Sequence, residues 1–172
     1  PVASYDLVVN DFEPLTAWAS LLKRVPCVGV SHQLAVMRPN APRPVVLDLL
    51  GPLVLRLYAP SRWGYGFHFK AFDNKTFTPV IRKDVRMAIA SKSNHYTVYL
   101  PAYDDMAIVD FLTRFPNDKF EVFSKHNKKP FAFKNVAVNP VDKNAFAESM
   151  VSSKGVFCNA GFETPAETVF LG

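Results

Sequence analysis

The segment from Asn159 to Glu167 combines a glycine, a hydroxyl and a carboxylate just after an apolar run and at the start of a predicted helix. A helix N-terminus presents unpaired N–H groups and the positive end of the helix dipole, so it suits a diphosphate. Gly161 permits close approach of the backbone, Thr164 offers a hydroxyl, and Glu167 could accept hydrogen bonds from two ribose hydroxyls. The spacing from Thr164 to Glu167 is equally that of a capping box, which needs no ligand.

Three further candidates follow predicted strands in the N-terminal half. Asp11 and Glu13 come after one strand, and His32 follows the next. A carboxylate there could orient a hydroxyl or act as a general base, and the histidine could donate to phosphate or accept a proton. Both carboxylates would also favour the N-terminus of the next helix, and the histidine could simply end its strand.

The remaining histidines and the two cysteines show no metal-ligand spacing. His68, His95 and His126 lie far from one another and from both cysteines. The sequence therefore predicts no metal site. Cys27 and Cys158 each lie in an apolar run, which predicts two buried, unpaired thiols of a cytoplasmic protein.

The chain of 172 residues has a net charge of +5, without a long block of like charge. Mild basic clusters at 82–86 and 125–129 are typical of solvated turns, and a basic cleft or contact with an anionic membrane surface are the alternatives. No apolar run is long enough to span a bilayer. No aromatic–basic motif indicates nucleic acid. We expect a cytoplasmic protein, with peripheral contact at the inner face of the membrane left open.

Strands alternate with helices, which predicts α/β units with parallel sheets. In the first half, the pattern predicts strands at 5–9, 25–30 and 65–69. It also predicts a helix after Pro14, with Leu15, Trp18, Ala19 and Leu22 on its apolar face, a loop at 39–44 and a helix at 45–58.

The alternation fades and then restarts. We predict strands at 96–100, 120–123, 136–138 and 156–158, and helices that begin near Asp104 or Asp105, at Asp142 and at Thr164-Pro165. The domain prediction is therefore 1–75 for one Rossmann-like unit, 76–94 for a linker and 95–172 for a second. Because the first residue is not Met and the last helix leads nowhere, we expect both units to be truncated and the isolated fragment to lack turnover.

The segment that ends the chain resembles the donor-binding signature of the two-Rossmann-domain (GT-B) glycosyltransferases. Gly161, Thr164, Glu167 and Gly172 match the fixed positions of that signature. The resemblance implies that Gly161 and Thr164 lie at the diphosphate and that Glu167 holds the ribose. Phe162 and Glu163, between them, join the donor-site candidates. Plant members have a phosphate-binding histidine where Asn159 stands.

The rest of the chain resembles the same class more loosely. The segment 6–14 together with 31–33 is similar to the acceptor-side domain of a poorly characterised bacterial and archaeal subgroup, and 79–82 to its hinge. Many relatives have a Gly/Ser-rich phosphate loop where this chain has 101–105. The usual catalytic base of inverting relatives comes from a region that this sequence does not include.

This resemblance implies two α/β units that face a cleft, and transfer of a sugar from a nucleotide-diphosphate donor, expected to be UDP-linked, to an unknown acceptor. The nucleotide sugar would be a substrate, so we expect no cofactor. A GT-B-fold nucleotide-sugar epimerase and a non-catalytic nucleotide-sugar-binding protein remain as alternatives.

Overall fold

The computed structural model describes residues 2–42 and 50–172, and the chain divides into two compact units, residues 1–80 and 81–172. We call them unit 1 and unit 2. Unit 1 has a parallel sheet and unit 2 a mixed one, which confirms the predicted α/β class with Rossmann-like units. The arrangement of the two units around a cleft stays a prediction.

Unit 1 is a four-stranded parallel sheet in the order β1-β2-β3-β4. Its elements are β1 (Val8–Asn10), α1 (Pro14–Lys23), β2 (Cys27–Ser31), α2 (His32–Val36), α3 (Leu50–Tyr58), β3 (Trp63–Phe67) and β4 (Thr76–Phe77). The predicted loop at 39–44 and helix at 45–58 both extend into residues 43–49, which lie outside the described residues. Within the described part of that helix, α3 begins at Leu50.

The apolar face predicted for α1 is wrong. The residues that α1 buries are Ala17 and Ser20, whereas Leu15 is 81% exposed and Leu22 is 76% exposed. The helix packs on β1 and β2. Small side chains let a helix approach a sheet closely, so the contact runs along the small residues rather than along the large apolar ones.

Unit 2 has a five-stranded sheet in the order β7-β8-β6-β5-β9, parallel except for β7, which pairs antiparallel with β8. Its elements are α4 (Lys83–Met87), β5 (Tyr96–Tyr99), α5 (Asp105–Leu112), β6 (Phe120–Ser124), β7 (Phe131–Phe133), β8 (Val136–Pro140), α6 (Lys143–Ser152), β9 (Val156–Cys158) and α7 (Glu163–Leu171). The core lies between α5 and the central strands: Val98, Ile108, Val109, Leu112, Phe120, Val122, Val136 and Val138.

The stretch 76–94, predicted as a linker, contains β4 and α4. The boundary between the units falls inside it, and α4 packs on α6 and α7. Farther along, the N–H of Ser91 donates to the carbonyl of Val151 at the end of α6 (3.2 Å). The segment after the boundary is therefore fixed to unit 2 at several points, although its periodicity gives no sign of this.

The two cysteines differ in burial. Cys27 is buried and unpaired, as predicted, whereas Cys158 is unpaired but only partly buried. Cys158 is the last residue of the edge strand β9, which has one described neighbour, β5. Partial burial raises the pKa of the Cys158 thiol through desolvation. In the described ranges no helix is long and apolar enough to cross a membrane.

Candidate functional site

The strand order of unit 2 places a crevice between β5 and β9. From β5 the chain adds β6 and β8 on one side, and it then returns through α6 to add β9 on the other side of β5. This reversal is a topological switch point, where open α/β sheets bind ligands at the carboxyl ends of the strands. A cavity of about 400 Å³ lies there, lined by Leu100 and Tyr103 after β5, one face of α5, and Phe157 to Asn159. Most of the lining is apolar.

The start of α7 follows β9, one of the two strands that flank this crevice. The helix begins at Glu163, and its N-cap residue, Phe162, makes no side-chain capping hydrogen bond. Gly161 precedes the helix, and a Cβ built on it would meet no atom within 4 Å. Open space in front of Gly161 leaves room for a ligand beside this residue, whose own N–H donates to the carbonyl of Asn159 (2.8 Å).

Glu167 does not form the capping box that its spacing allows. Thr164 lies inside α7 and not at its N-cap, because the helix begins one residue earlier. The carboxylate of Glu167 instead accepts two hydrogen bonds from Arg82, from Nε to Oε1 (2.6 Å) and from Nη2 to Oε2 (2.9 Å). Glu167 is 5% exposed. The capping-box interpretation is therefore wrong, and an ion pair takes its place.

The start of α5, at the other side of the crevice, is occupied by two carboxylates. Asp104 is the N-cap, and its Oδ1 accepts from the N–H groups of Met106 (2.9 Å) and Ala107 (3.2 Å). Asp105 is buried and accepts from the Ser124 hydroxyl (2.5 Å) and from the Asn127 amide. This helix end is satisfied by protein groups and carries negative charge, so it does not suit an anion.

Asp105 also fixes the loop that follows β6. The Ser124 hydroxyl donates to Asp105 and accepts the N–H groups of His126 and Asn127, so the loop turns tightly at the strand end. The ammonium of the next residue, Lys125, lies 5.8 Å from the ring centroid of Tyr99. Tyr99 ends β5 and pairs in register with Cys158 of β9. A cation is thereby held beside the strands that flank the crevice.

In unit 1, Glu13 serves as the N-cap of α1. Its oxygens accept from the N–H groups of Leu15 (2.8 Å) and Thr16 (2.7 Å) and from the Thr16 hydroxyl. The hydrogen bond from the Thr16 hydroxyl is the largest cause that lowers the pKa of Glu13, followed by those from the backbone. A carboxylate with a lowered pKa is a weaker base, so the capping interpretation explains Glu13 well.

His32 and Asp11 lie at the carboxyl edge of the same sheet. Asp11 directly follows β1 and is exposed. His32 opens α2, and its Nδ1 lies 3.2 Å from the carbonyl oxygen of Phe67. The ring stacks beside that of His68, which follows β3, with 6.5 Å between centroids. Gly66 brings α2 onto β3, because a Cβ there would lie 2.5 Å from the Ala35 backbone.

Comparison with known protein families identifies the family of this chain. The family described as Glycosyl transferase family 1 matches residues 3–172, almost the whole chain. The chain belongs to this family. The comparisons with curated proteins and with solved structures find no significant match.

Membership of a glycosyltransferase family confirms the class implied by the signature at the end of the chain, and the α/β architecture is consistent with the GT-B fold. The structure places Gly161, Phe162, Glu163 and Thr164 together at the start of α7, beside the switch point. Glu167 lies one turn farther along the helix. The roles of these residues toward a donor stay predictions.

Sequence reasoning missed three residues of this glycosyltransferase. Arg82 stands 85 residues before its partner Glu167, and no local pattern indicates the pairing. Lys125 belonged to a basic cluster, but its position depends on the Asp105 contacts. His68 gave a usable signal, since it directly follows a strand as His32 does. Within 2–42 and 50–172 no group of three or more His, Cys, Asp or Glu side chains could hold a metal ion.

Proposed function

We propose that this glycosyltransferase takes a nucleotide-diphosphate sugar, expected to be UDP-linked, and that unit 2 binds the donor. The observation that carries the proposal is the start of α7. A helix N-terminus without a side-chain cap, preceded by an open glycine, stands at the switch point of a parallel sheet. In a chain of this family, the ligand suited to that position is the diphosphate of a sugar donor.

The donor groups can be assigned to parts of the crevice. The diphosphate lies against the backbone from Gly161 to Thr164, and Lys125, held over Tyr99 at the end of β5, supplies a cation at the same edge of the sheet. The ribose hydroxyls are held by Glu167. The apolar wall that Leu100 and Tyr103 share with α5 suits the flat face of a nucleoside.

For the acceptor side we propose His32 as the general base, ahead of Asp11. A carbonyl oxygen only accepts, so the contact with Phe67 puts the proton of the neutral ring on Nδ1. The lone pair is then on Nε2, the atom that would take the proton of an acceptor hydroxyl. Glu13 is used as a helix cap and is not proposed as the base.

The test is to incubate the full-length protein with UDP-, GDP- and ADP-linked sugars and to measure free nucleotide and the fate of the sugar. Nucleotide release that grows when an acceptor is added supports transfer. A sugar whose configuration changes without an acceptor indicates an epimerase. Binding without any chemical change indicates a nucleotide-sugar-binding protein, and both of these results would replace the proposal.

Lys125 and Lys134 provide a matched pair for the diphosphate position. Each ammonium lies over an aromatic ring, at 5.8 Å from Tyr99 and 5.3 Å from Phe133 respectively. Phe133 ends β7, the strand at the opposite edge of the sheet from β9. We expect Lys125→Met to weaken binding of the nucleotide diphosphate several-fold and Lys134→Met to leave it unchanged. Equal effects of the two variants would remove Lys125 from the proposed site.

A further inference from the structure

Arg82 holds the carboxylate of Glu167 in one defined orientation. The two hydrogen bonds run from Nε to Oε1 and from Nη2 to Oε2, the bidentate geometry for which a guanidinium is suited. The Glu167 side chain is 6% exposed and that of Arg82 is 32% exposed, so the pair lies at the margin of the interior. Water can therefore reach part of the arginine, while the glutamate depends on it.

Acidic groups surround the same guanidinium. Asp84 Oδ2 lies 3.7 Å from Nη1 of Arg82, and Glu163 contributes a favourable electrostatic interaction. The hydrogen bonds to Glu167 are the largest cause that raises the pKa of Arg82. Arg82 is thus a permanent cation next to the first turn of α7, the helix that follows β9.

The path of the chain explains how Arg82 reaches this position. Helix α6 ends where β9 begins, and α7 begins where β9 ends. The segment that starts at Arg82 contacts α7 first and bonds to the end of α6 at Ser91. It therefore runs from the middle of α7, about one turn after the helix start, toward the end of α6, which precedes the start of β9.

The Glu167 carboxylate keeps acceptor capacity after it has bound Arg82. An ionised carboxylate has about four lone-pair sites, and the bidentate arginine uses two of them. Two remain, one on each oxygen, which is the number that the vicinal hydroxyls of a ribose require. Without Arg82 the buried carboxylate would lose its only hydrogen-bond partner within residues 2–42 and 50–172, and burial of an unpaired charge favours rotation of the side chain toward water.

We propose that Arg82 is a positioning residue of the donor site, which holds the Glu167 carboxylate oriented for the ribose hydroxyls. This inference rests on the proposed function. It adds to the donor site a residue from the start of unit 2, since Arg82 is the second residue of that unit.

The experiment measures ribose selectivity rather than affinity alone. The full-length protein is titrated with UDP, GDP and ADP, and the nucleotide that binds most tightly is compared with its 2′-deoxy form. Removal of one hydroxyl from a charge-assisted hydrogen bond should weaken binding to the wild type about tenfold. Both nucleotides bind the same fraction of folded protein, so their affinity ratio does not change when a variant is merely less stable.

Three variants are compared with the wild type. We expect Arg82→Ala to bring the affinity ratio of the two nucleotides close to one. Arg82→Lys keeps the charge but loses the two parallel N–H donors of the guanidinium, and it should give an intermediate ratio. Arg38→Ala is the matched control, because Arg38 Nε donates to Asp73 at the same 2.6 Å in unit 1. It should keep the wild-type ratio. If Arg82→Ala does not fold, the affinity ratio of Arg82→Lys for the nucleotide and its 2′-deoxy form tests the proposal.

The outcomes separate this inference from the proposed function. If Arg82→Ala keeps the wild-type ratio while affinity for both nucleotides falls, the pair is only structural and the inference is overturned. If the wild type binds a nucleotide diphosphate without ribose selectivity, the ribose role of Glu167 fails and the role of Arg82 fails with it. If no nucleotide diphosphate binds, the proposed function itself is wrong.

Discussion

Two helices begin at the same edge of the unit 2 sheet, on either side of the crevice, and their first turns are built differently. Helix α5 begins with Asp104 as a side-chain cap and Asp105 as a buried carboxylate. Helix α7 begins at Glu163, its N-cap residue Phe162 makes no side-chain capping hydrogen bond, and the preceding glycine faces open space. Side chains cap the first terminus, whereas the N-cap residue of the second makes no side-chain capping hydrogen bond.

The difference indicates where an anion can bind. A carboxylate near a helix N-terminus is stabilised by the dipole, and the same charge repels phosphate. Where the resemblance leads us to expect a Gly/Ser-rich phosphate loop before α5, this chain has 101–105 with two aspartates. The start of α5 thus stabilises the fold, and we assign the diphosphate to the start of α7 alone.

Asp105→Ala should have the largest effect on stability. It removes a buried carboxylate that accepts from Ser124 and Asn127, and it frees the loop after β6. We expect unit 2 to lose about 3 kcal/mol, because hydrogen bonds to a charged group contribute roughly 1.5–3 kcal/mol each and do not add fully. Amide hydrogen exchange in β5 and β6 measures this loss of stability in unit 2.

The matched control is Asp110→Ala, which removes an exposed carboxylate from the same helix. It should change stability by less than about 0.5 kcal/mol. Fluorescence of Trp18 and Trp63, the two tryptophans, reports unit 1 alone. An Asp105 variant as stable as the Asp110 variant would show that the start of α5 is not held by its buried carboxylate.

Glu167→Ala should have the largest effect on donor binding. It removes both acceptors offered to the ribose, which corresponds to roughly 1.5–3 kcal/mol and a tenfold or greater loss of nucleotide-diphosphate affinity. Glu167→Gln keeps one acceptor and should lose less. Calorimetric titration measures this, with the exposed helical Glu148→Ala as control. Unchanged affinity in folded Glu167→Ala would leave the Arg82 pair as the sole role of this carboxylate.

Much of the unit 2 fold could be predicted, because its strands and helix caps depend on residues that are close together in the sequence. Buried parallel strands are apolar runs, so β5, β6, β8 and β9 were found close to their observed bounds. The caps Asp104 and Asp142 depend on residues two or three positions away, and their side chains do accept those N–H groups. The three-residue β7 and the five-residue α4 were missed, since such short elements have no measurable period.

The errors occur where a distant partner overrides a local pattern. Thr164 and Glu167 have the spacing of a capping box, yet the carboxylate pairs with Arg82, which no local rule could find. The predicted face of α1 failed for a related reason. Its large apolar residues have the right period, but the sheet accepts the small side chains of Ala17 and Ser20.

Asp104→Ala tests the capped terminus with a smaller effect. Loss of an N-cap carboxylate costs about 1 kcal/mol, and Asp142→Ala, which removes the matching cap of α6, should cost about the same. Nucleotide-diphosphate binding should distinguish the start of α5 from the start of α7. Folded Asp104→Ala should bind nucleotide diphosphate at least as well as the wild type, because a negative charge beside the crevice is gone. Weaker binding would place a ligand contact at the start of α5.

Gly161→Ala should have the smallest effect. It distinguishes a structural role of Gly161 from a role in ligand binding. The backbone at Gly161 is not among those with positive φ, and the new methyl group meets no protein atom, so stability should change by less than about 0.5 kcal/mol. A phosphate that approaches this backbone would meet the methyl group, and we expect an affinity loss of about threefold, or roughly 0.6 kcal/mol. Thermal melting and titration on the same samples measure both quantities.

The control for the glycine substitution is Gly66→Ala, where the added Cβ would lie 2.5 Å from the Ala35 backbone. Overpacking of this kind costs about 1–3 kcal/mol, so unit 1 should melt at a lower temperature while donor affinity of the folded protein is kept. The two substitutions are chemically identical, but we expect Gly161→Ala to change donor affinity and Gly66→Ala to change the stability of unit 1. If Gly161→Ala binds nucleotide diphosphate as tightly as the wild type, the open space before α7 is not where the phosphates lie.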